Sequence, residues 1–332
     1  MPNQRGPLGD TENDVGIVNP HRKRHREWSG AVLLLVLGVA GLGAGRLGLL
    51  WPRFDIFAQF TIQFAVFVVG GFAGLLSPRL KGVIAGLVTI VLLAGYGLWP
   101  SIDPQQAEIL TRADEKRLKV VQFNLGGGRS SPQAVLDSLN ELNADVVTLV
   151  ETSPNSEVIL GELKSDYPFQ VNCFGSPGCE MAIVSKTPLS NSKLIYARQA
   201  VPLLKASLGP DYNSLRVVAV HTTRFPHITE QFSQFRAIAQ ALEVDKGPLL
   251  LMGDFNATPQ SRVLQGLADQ VGLKVMTYLP SWPATYGLPQ LAIDHILVSS
   301  SLRALSQEAV GQSAGSDHLP VAMVLGVAIG TH

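Results

Sequence analysis

The stretch 249–256, LLLMGDFN, ends an unbroken apolar run with two polar side chains, Asp254 and Asn256. A short apolar run bounded by polar residues is typical of a buried strand. In an extended chain, residues two positions apart point to the same face, so we expect the two side chains to lie side by side. Carboxylate and amide groups are costly to bury without partners. The strand therefore places both groups at an edge of the core.

The same pattern recurs through the rest of the carboxyl-terminal two thirds of the chain. Further apolar runs stop at a polar residue or begin just after one, and these residues are Asn124, Glu151, His221, Asp294, Asp317 and His318. Where antiparallel neighbours occur in a sheet, the exit end of one strand and the entrance end of the next share an edge. We therefore expect these polar ends to converge on one edge. Taken singly, each also has an ordinary use as a turn, a helix cap or a buried histidine.

Segments between the apolar runs have the apolar spacing of helices. Two examples are residues 131–144, SPQAVLDSLNELNA, and 230–244, EQFSQFRAIAQALEV. The first opens with Ser-Pro, a frequent start of a helix. Alternating strands and helices predict an α/β sandwich with flanking helices rather than an all-β barrel.

The first hundred residues have a different character. Uncharged or nearly uncharged apolar runs occupy residues 31–50, 57–76 and 82–99, interrupted within the first by Arg46. Each is long enough, or nearly so, to cross a hydrocarbon core of about 30 Å. We predict a three-helix transmembrane region over residues 29–100, and a hydrophobic bundle of a soluble protein is the alternative.

Basic residues indicate how this region would be oriented. HRKRHREW at 21–28 precedes the first run, and SPRLK at 77–81 separates the second from the third. Because positive charge favours the cytoplasmic side, the N-terminus is expected there and the segment after the third run outside. The sequence thus predicts a multi-pass protein of a bacterial-type plasma membrane, with a disordered basic tail at 1–28, a linker at 101–114 and an extracytoplasmic domain at 115–332.

Charge and cysteine content limit what that domain binds. From residue 104 onward we count 17 basic and 20 acidic side chains. Proteins that wrap a nucleic-acid backbone usually have the opposite balance, so a nucleic-acid partner is disfavoured. Cys173 and Cys179 flank a Gly- and Pro-bearing turn. A disulfide and a pair of free thiols both remain open.

Taken together, the motifs resemble those of the endonuclease/exonuclease/phosphatase superfamily of metal-dependent phosphoesterases. The similar stretches, in the family's order, are VVQFNLGG, VVTLVET, VVAVHTT, LLLMGDFNATP, AIDHILVS and GSDHLPVAMVL. The resemblance covers about residues 118–325. It implies a four-layer α/β sandwich of two mixed β-sheets flanked by helices, and a Mg²⁺ cofactor, with Mn²⁺ as the alternative.

The resemblance also implies roles for the polar strand ends. Glu151 is the expected principal metal ligand, assisted by Asn124 and Asp317, and Asn124 is also expected to contact substrate. Asp254 and Asn256 are expected to orient or activate the attacking water. His318, held by Asp294, is expected to bind the scissile phosphate, and His221 to act near the leaving group. Arg224 and Tyr286 are candidates for further substrate contacts, with loop packing as the alternative.

The substrate class is left open by the resemblance. Gly126 stands where some branches, including abasic-site endonucleases, carry an additional aspartate, which counts against a DNA-repair role. Three functions follow as hypotheses: a membrane-anchored phosphoesterase acting on a lipid headgroup or small molecule, an extracytoplasmic nuclease, and a catalytically silent interaction protein. Net negative charge and the membrane anchor favour the first.

Overall fold

The computed structural model describes residues 20–76, 111–152, 155–198, 201–243, 247–285, 287, 289–306 and 308–329. The N-terminal elements are helix α1 (Pro20–Arg46), 3-10 turns Leu47–Leu49 and Pro52–Phe54, α2 (Asp55–Ala58) and α3 (Thr61–Leu75). Because α1 begins at Pro20, residues 20–28 are helical, and their assignment to a disordered tail was wrong. Arginine, lysine and glutamate are good helix formers, and they extend the helix ahead of its apolar part.

The three-helix transmembrane prediction is only partly recovered. Among the described residues, Ser29–Arg46 is the one single helix long and apolar enough to cross a membrane. The second predicted span is not straight, because Pro52–Ala58 and Thr61–Leu75 meet at an angle of 60°. This bent pair would count as a second crossing only if both pieces form one broken span. The third run, at 82–99, and most of the linker lie outside the described residues.

Helices α1 and α3 form a hairpin whose close packing depends on glycine. A Cβ atom added to Gly71 would lie 2.6 Å from the backbone nitrogen of Leu35 and 2.8 Å from the carbonyl oxygen of Ala31. One added to Gly41 would lie 2.4 Å from the ring of Phe64. Small residues that let helix backbones approach each other are common at helix interfaces in membranes.

The remaining chain folds into two sheets. The strands are β1 (Glu115–Asn124), β2 (Val146–Val150), β3 (Phe169–Asn172), β4 (Met181–Ser185), β5 (Leu189–Ala197), β6 (Val201–Leu208), β7 (Arg216–His221), β8 (Leu249–Asp254), β9 (Leu273–Val275), β10 (Asp294–Ser299), β11 (Leu302–Ala304), β12 (Ala309–Val310) and β13 (Val321–Ala328). One sheet has the order β11-β13-β1-β2-β4-β3, with β12 paired to β13. The other has the order β5-β6-β7-β8-β10-β9.

Helices cover the outer faces of both sheets. They are α4 (Pro132–Leu142), α5 (Ser156–Glu162), α6 (Ile228–Glu243) and α7 (Arg262–Val271), and a further 3-10 turn spans Pro210–Tyr212. One apolar cluster fills the space between the sheets, a second joins α4 and α5 to the first sheet, and a third joins α6 and α7 to the second. The predicted layered sandwich of two mixed sheets is therefore confirmed.

Strand pairing brings the polar ends to one edge. β1 and β2 are parallel, and so are β7 and β8, with His221 paired to Asp254. β10 and β13 run antiparallel to β8 and β1, with Asp294 paired to Asp254. The exits of four strands and the entrances of two therefore meet, as the sequence pattern predicts.

A disulfide closes the turn between β3 and β4. Cys173 and Cys179 are bonded, and their Cα atoms are 5.8 Å apart. Of the two interpretations that the sequence left open, the structure therefore favours the disulfide over the free thiols.

Candidate active site

Asn124, Glu151 and Asp254 form one part of the site. The Asn124 Nδ2 group donates hydrogen bonds to Glu151 Oε1 at 3.1 Å and to Asp254 Oδ2 at 3.0 Å. Its Oδ1 atom accepts a bond from the backbone nitrogen of Gly126 at 2.9 Å. The side chain is therefore fixed at both ends. Glu151 lies just beyond β2 with a φ angle of 51°, a strained conformation for a residue with a side chain.

Asp294 and His318 form a second part. His318 Nδ1 lies 2.7 Å from Asp294 Oδ2, and the Ser281 hydroxyl donates to the same oxygen at 2.6 Å. On its other side, His318 Nε2 is 3.9 Å from Asp254 Oδ2. Two carboxylates placed on either side of a histidine in this way favour the cationic form of its imidazole.

Burial and charge shift the pKa values of these groups. Burial, together with the neighbouring Asp294 carboxylate, raises the pKa of Asp254 to about 6. His318 and His221 act in the opposite direction and lower this pKa, but less strongly. Burial alone would lower the pKa of His318, but the charge and hydrogen bond of Asp294 raise it to about 9. His318 is therefore suited to carry a proton at neutral pH, and Asp254 to accept one.

His221 completes the cluster at the end of β7. Its Nε2 atom lies 3.4 Å from Glu151 Oε1 and 3.9 Å from Asp254 Oδ2. The side chains of His221 and Glu151 are each about one third exposed, at 32% and 34%, whereas that of Asp254 is 1% exposed. Solvent and ligands can reach the first two directly.

The donor set fits a divalent cation. One ligand atom each from Glu151, His221 and Asp254 lie within 4.8 Å of one another. The two carboxylates provide the hard oxygen atoms that Mg²⁺ prefers in proteins, whereas Asn124 turns its Nδ2 donor towards them. A second group, Asp254, Asp294 and His318, is equally compact, but the hydrogen bond between His318 and Asp294 already accounts for its arrangement.

The cluster opens into a cavity of about 740 Å³. The walls include Glu151, His221, Asp254, Asn256, Asp317 and His318, with Arg129, Arg224, Phe225, Pro226, His227 and Trp282 around them. Two buried residues of the cluster, Asn124 and Asp294, lie behind this wall. Predicted residue Arg224 thus faces the cavity, whereas Tyr286 lies outside the described residues.

Asp317 lies at the cavity but binds other partners. Its Oδ2 atom is 2.6 Å from Arg129 Nη1, and Trp282 Nε1 donates to it at 3.3 Å. Among the described residues, Asp317 is not part of either compact group of possible metal ligands. Gly126 beside it has a φ angle of 67°, and an added Cβ would lie 2.9 Å from Asp317 Oδ1. A larger side chain at position 126 would therefore be strained and crowded.

Asn256 does not have the backbone predicted for it. Its φ angle is 47°, so the chain has already left the extended conformation of β8, and the expectation of an extended backbone there was wrong. Its backbone nitrogen donates to Asp254 Oδ1 at 2.7 Å, and its Nδ2 donates to the carbonyl oxygen of Thr222 at 3.0 Å. The carboxylate bends the chain into a turn that still leaves Asn256 on the cavity wall.

Several supporting residues were missed from the sequence. Ser281 holds Asp294, and Gln122 approaches Asp294 Oδ1 at 3.5 Å while accepting a bond from Thr148. Gln122 and Thr148 stand inside apolar strand runs, and that placement was an available signal of a buried polar network. Nothing in the sequence pattern singles out Ser281, which belongs to the irregular connection between β9 and β10.

Comparison with known proteins agrees with this geometry. The model of the Endonuclease/Exonuclease/phosphatase family matches residues 121–318, more than half of the chain. The chain therefore belongs to the Endonuclease/Exonuclease/phosphatase family, whose members are hydrolases that act on phosphoester bonds and generally require a divalent metal.

Individual relatives and solved structures share only low sequence identity with the chain. A UPF0294 protein of Vibrio campbellii is 25% identical over 230 residues, which cover 65% of this chain and 79% of the relative. An endonuclease/exonuclease/phosphatase of Beutenbergia cavernae matches with a TM-score of 0.52 and 18% identity over 64% of this chain and 72% of that one. The catalytic domain of human Nocturnin matches with a TM-score of 0.51 and 16% identity over 68% and 99%. At these identities the structural matches establish the fold alone.

Proposed function

We propose that the chain is a membrane-anchored, Mg²⁺-dependent phosphoesterase that hydrolyses a phosphomonoester or phosphodiester of a lipid headgroup or small molecule outside the cytoplasm. The observation that supports it is the meeting of Glu151, Asp254 and His318 at one cavity, with ligand atoms of the two carboxylates near enough to share an ion. A positioned water, a cation and groups that stabilise phosphoryl charge are what this reaction requires.

Each residue has a role in the proposed reaction. Glu151 would hold the ion, with Asn124 and Asp317 assisting, and a bound Mg²⁺ supplies charge that polarises a phosphoryl oxygen. Asp254 accepts a proton from the attacking water, because its raised pKa makes it the better base near neutral pH. Asn256 orients that water from the adjoining turn.

The histidines act on the phosphate itself. Asp294 keeps His318 cationic, so that Nε2 can donate to a phosphoryl oxygen as negative charge develops there. His221, exposed at the cavity, is placed to supply a proton near the leaving oxygen. Arg224 and Tyr286 are proposed to contact the remainder of the substrate, with Arg224 on the cavity wall.

A second groove supports a substrate held at the membrane. Pro226 and His227 line both the catalytic cavity and a smaller groove whose other walls include Arg53 and Ile56, from the connection between α1 and α3. The cavity therefore lies next to a groove at the end of the helical hairpin. A phosphoester carried by a lipid could reach it from the bilayer surface.

Contact between the α1–α3 connection and the sandwich bears on the proposed membrane topology. Residues 52–58 touch the sandwich, so both must be on one side of the membrane. With the N-terminus in the cytoplasm, one crossing by α1 places that connection outside. A return through α3 then requires another crossing before residue 111, and the apolar run at 82–99 is the candidate for it.

The test is a panel of phosphate substrates given to the full-length protein in vesicles. Phospholipid, nucleotide, sugar phosphate and plasmid DNA are each assayed with Mg²⁺ and with EDTA. We expect Mg²⁺-dependent release of phosphate or headgroup from lipid or a small phosphoester. Preferential cleavage of plasmid DNA would favour the nuclease instead, and no turnover of any substrate would contradict both.

A further inference from the structure

The connection between α1 and α3 buries two polar side chains, although most of its residues are apolar. We call residues 51–60 the elbow. Within it, Asp55 is fully buried and Gln59 is 2% exposed. A buried carboxylate and amide require partners, because burial without them is costly. Those partners lie on the sandwich, about two hundred positions further along the chain.

Asp55 binds the start of helix α7. Its Oδ1 atom accepts a hydrogen bond from the backbone nitrogen of Arg262 at 2.7 Å, and its Oδ2 atom accepts one from the Ser261 hydroxyl at 2.6 Å. Ser261 is itself the N-cap of α7, since its hydroxyl accepts from the backbone nitrogen of Leu264. The carboxylate thus adds a charged acceptor at the positive end of the helix.

Gln59 binds the segment that leads from β8 to α7. Its Oε1 atom accepts a hydrogen bond from the backbone nitrogen of Thr258 at 2.6 Å, and its Nε2 atom donates to Asp55 at 3.4 Å. The two elbow side chains therefore form one unit. That unit holds both ends of the turn between Thr258 and Arg262.

The held segment is the one that carries the proposed base. Loop 254–262 begins with Asp254 and Asn256, and Asn256 occupies a left-handed conformation. Such a conformation persists only where surrounding contacts fix it. Elbow contacts begin two residues beyond Asn256, so they restrain the chain directly behind the catalytic side chains.

A separate contact joins the elbow to the rim of the cavity. The ring of Phe60 packs edge-on against that of Phe225 with centroids 5.8 Å apart, and Phe225 packs against Trp282 at 6.4 Å. Phe225 and Trp282 both line the catalytic cavity. Aromatic pairs in this geometry are favourable, so the rim is held from the same side as the loop.

We propose that the elbow is a working part of the active site, in which Asp55 and Gln59 are positioning residues that order loop 254–262 and so present Asp254 and Asn256 to the cavity. The attachment of the hairpin to the sandwich is thereby coupled to turnover. The catalytic consequence rests on the proposed function, whereas the ordering of the loop does not. Neither elbow residue lines the cavity, so neither acts on substrate itself.

A matched control separates positioning from general stabilisation. Asp145 also accepts a hydrogen bond from a backbone nitrogen, that of Lys119, at 2.7 Å. It lies at the opposite end of β1 and β2 from Asn124 and Glu151. Asp145→Ala therefore removes the same kind of bond without touching the cavity.

The experiment compares Asp55→Ala, Gln59→Ala, Asp55→Asn and Asp145→Ala in the full-length protein. Hydrogen exchange measures the protection of amides 254–262, and hydrolysis of bis(p-nitrophenyl) phosphate measures kcat and KM. For the two elbow alanine variants we expect exchange in the loop to be about tenfold faster and kcat to fall about tenfold or more, with KM little changed. Asp55→Asn, which still accepts from Arg262, should restore much of both.

The outcomes distinguish this inference from the proposed function. Unchanged exchange in loop 254–262 in both alanine variants would overturn the inference, whatever the enzyme does. Faster exchange with normal kcat would overturn the positioning role, as would an equal loss of kcat in Asp145→Ala. If the wild-type chain hydrolyses nothing, the proposed function is wrong, and exchange alone decides whether the elbow orders the loop.

Discussion

The helical hairpin and the sandwich place apolar and polar side chains in opposite ways. On the hairpin, large apolar residues such as Leu33, Val36 and Ile62 are each more than half exposed. In the sandwich, apolar residues fill the interior and polar groups gather at one edge, where Asp254 is 1% exposed. An apolar exterior suits hydrocarbon, whereas a contiguous one is rare on a soluble monomer. The two regions therefore differ in which kind of side chain they expose.

The elbow lies where these two arrangements meet. Polar side chains of the hairpin are buried there, and they are buried against the part of the sandwich that carries the proposed catalytic base. Burial of polar groups thus marks both the candidate active site and its attachment to the hairpin.

The largest effect is expected from the polar edge. Asp254→Ala and His318→Ala each remove a group from the buried cluster, so Mg²⁺-dependent phosphate release should fall by about 10²–10⁴-fold. The protein should remain folded and bound to the membrane, which circular dichroism and vesicle flotation would check. Turnover at the wild-type rate in either variant would remove these residues from the mechanism.

An intermediate effect is expected within the hairpin. Gly71→Leu places a side chain against the backbone of α1, and we expect it to lower the stability of the hairpin by about 1–3 kcal/mol. Gly70→Leu is its neighbouring control, because an added Cβ there meets nothing nearer than 4.0 Å. Thermal unfolding in detergent compares the two. Equal stability of both variants would contradict close packing of α1 on α3.

The smallest effect on turnover is expected at Glu308, a glutamate of the sandwich that lies outside the candidate active site. Burial raises the pKa of Glu308 from 4.5 to about 7, partly offset by hydrogen bonds from the backbone nitrogens of Tyr278 and Leu279. The folded state therefore retains a proton that the unfolded state releases, and stability falls as pH rises from about 4.5 to 7.

Glu308→Gln keeps an acceptor but cannot ionise. Relative to wild type, its free energy of unfolding should increase across that pH range by about 2–3 kcal/mol, with turnover unchanged. Urea unfolding at pH 5 and pH 7.5 makes the comparison. A difference between the proteins that does not vary with pH would show that Glu308 ionises normally in the folded state.

The sequence predicts the sandwich better than the hairpin, for physical reasons. Short apolar runs with polar ends are recognisable as strands, and the pairing of strands fixes which of their ends share an edge of the sheet. The convergence of Asn124, Glu151 and Asp254 therefore follows from strand direction. On either side of the bend at residues 59–60, Asp55 and Gln59 bond to Arg262 and Thr258, and no local pattern reveals these distant partners. Asn256 shows the same limit on a smaller scale, because a hydrogen bond to Asp254 overrides the extended backbone.

Polar strand ends from distant parts of the chain are proposed to hold one divalent ion. A titration of the full-length protein with Mn²⁺, followed by electron paramagnetic resonance of the free ion, tests this proposal most directly. Wild type and Glu157→Gln, which changes an exposed glutamate of α5, should bind one ion per chain, and Glu151→Gln should bind at least about tenfold more weakly. Equal binding by Glu151→Gln and wild type would show that Glu151 does not hold the ion.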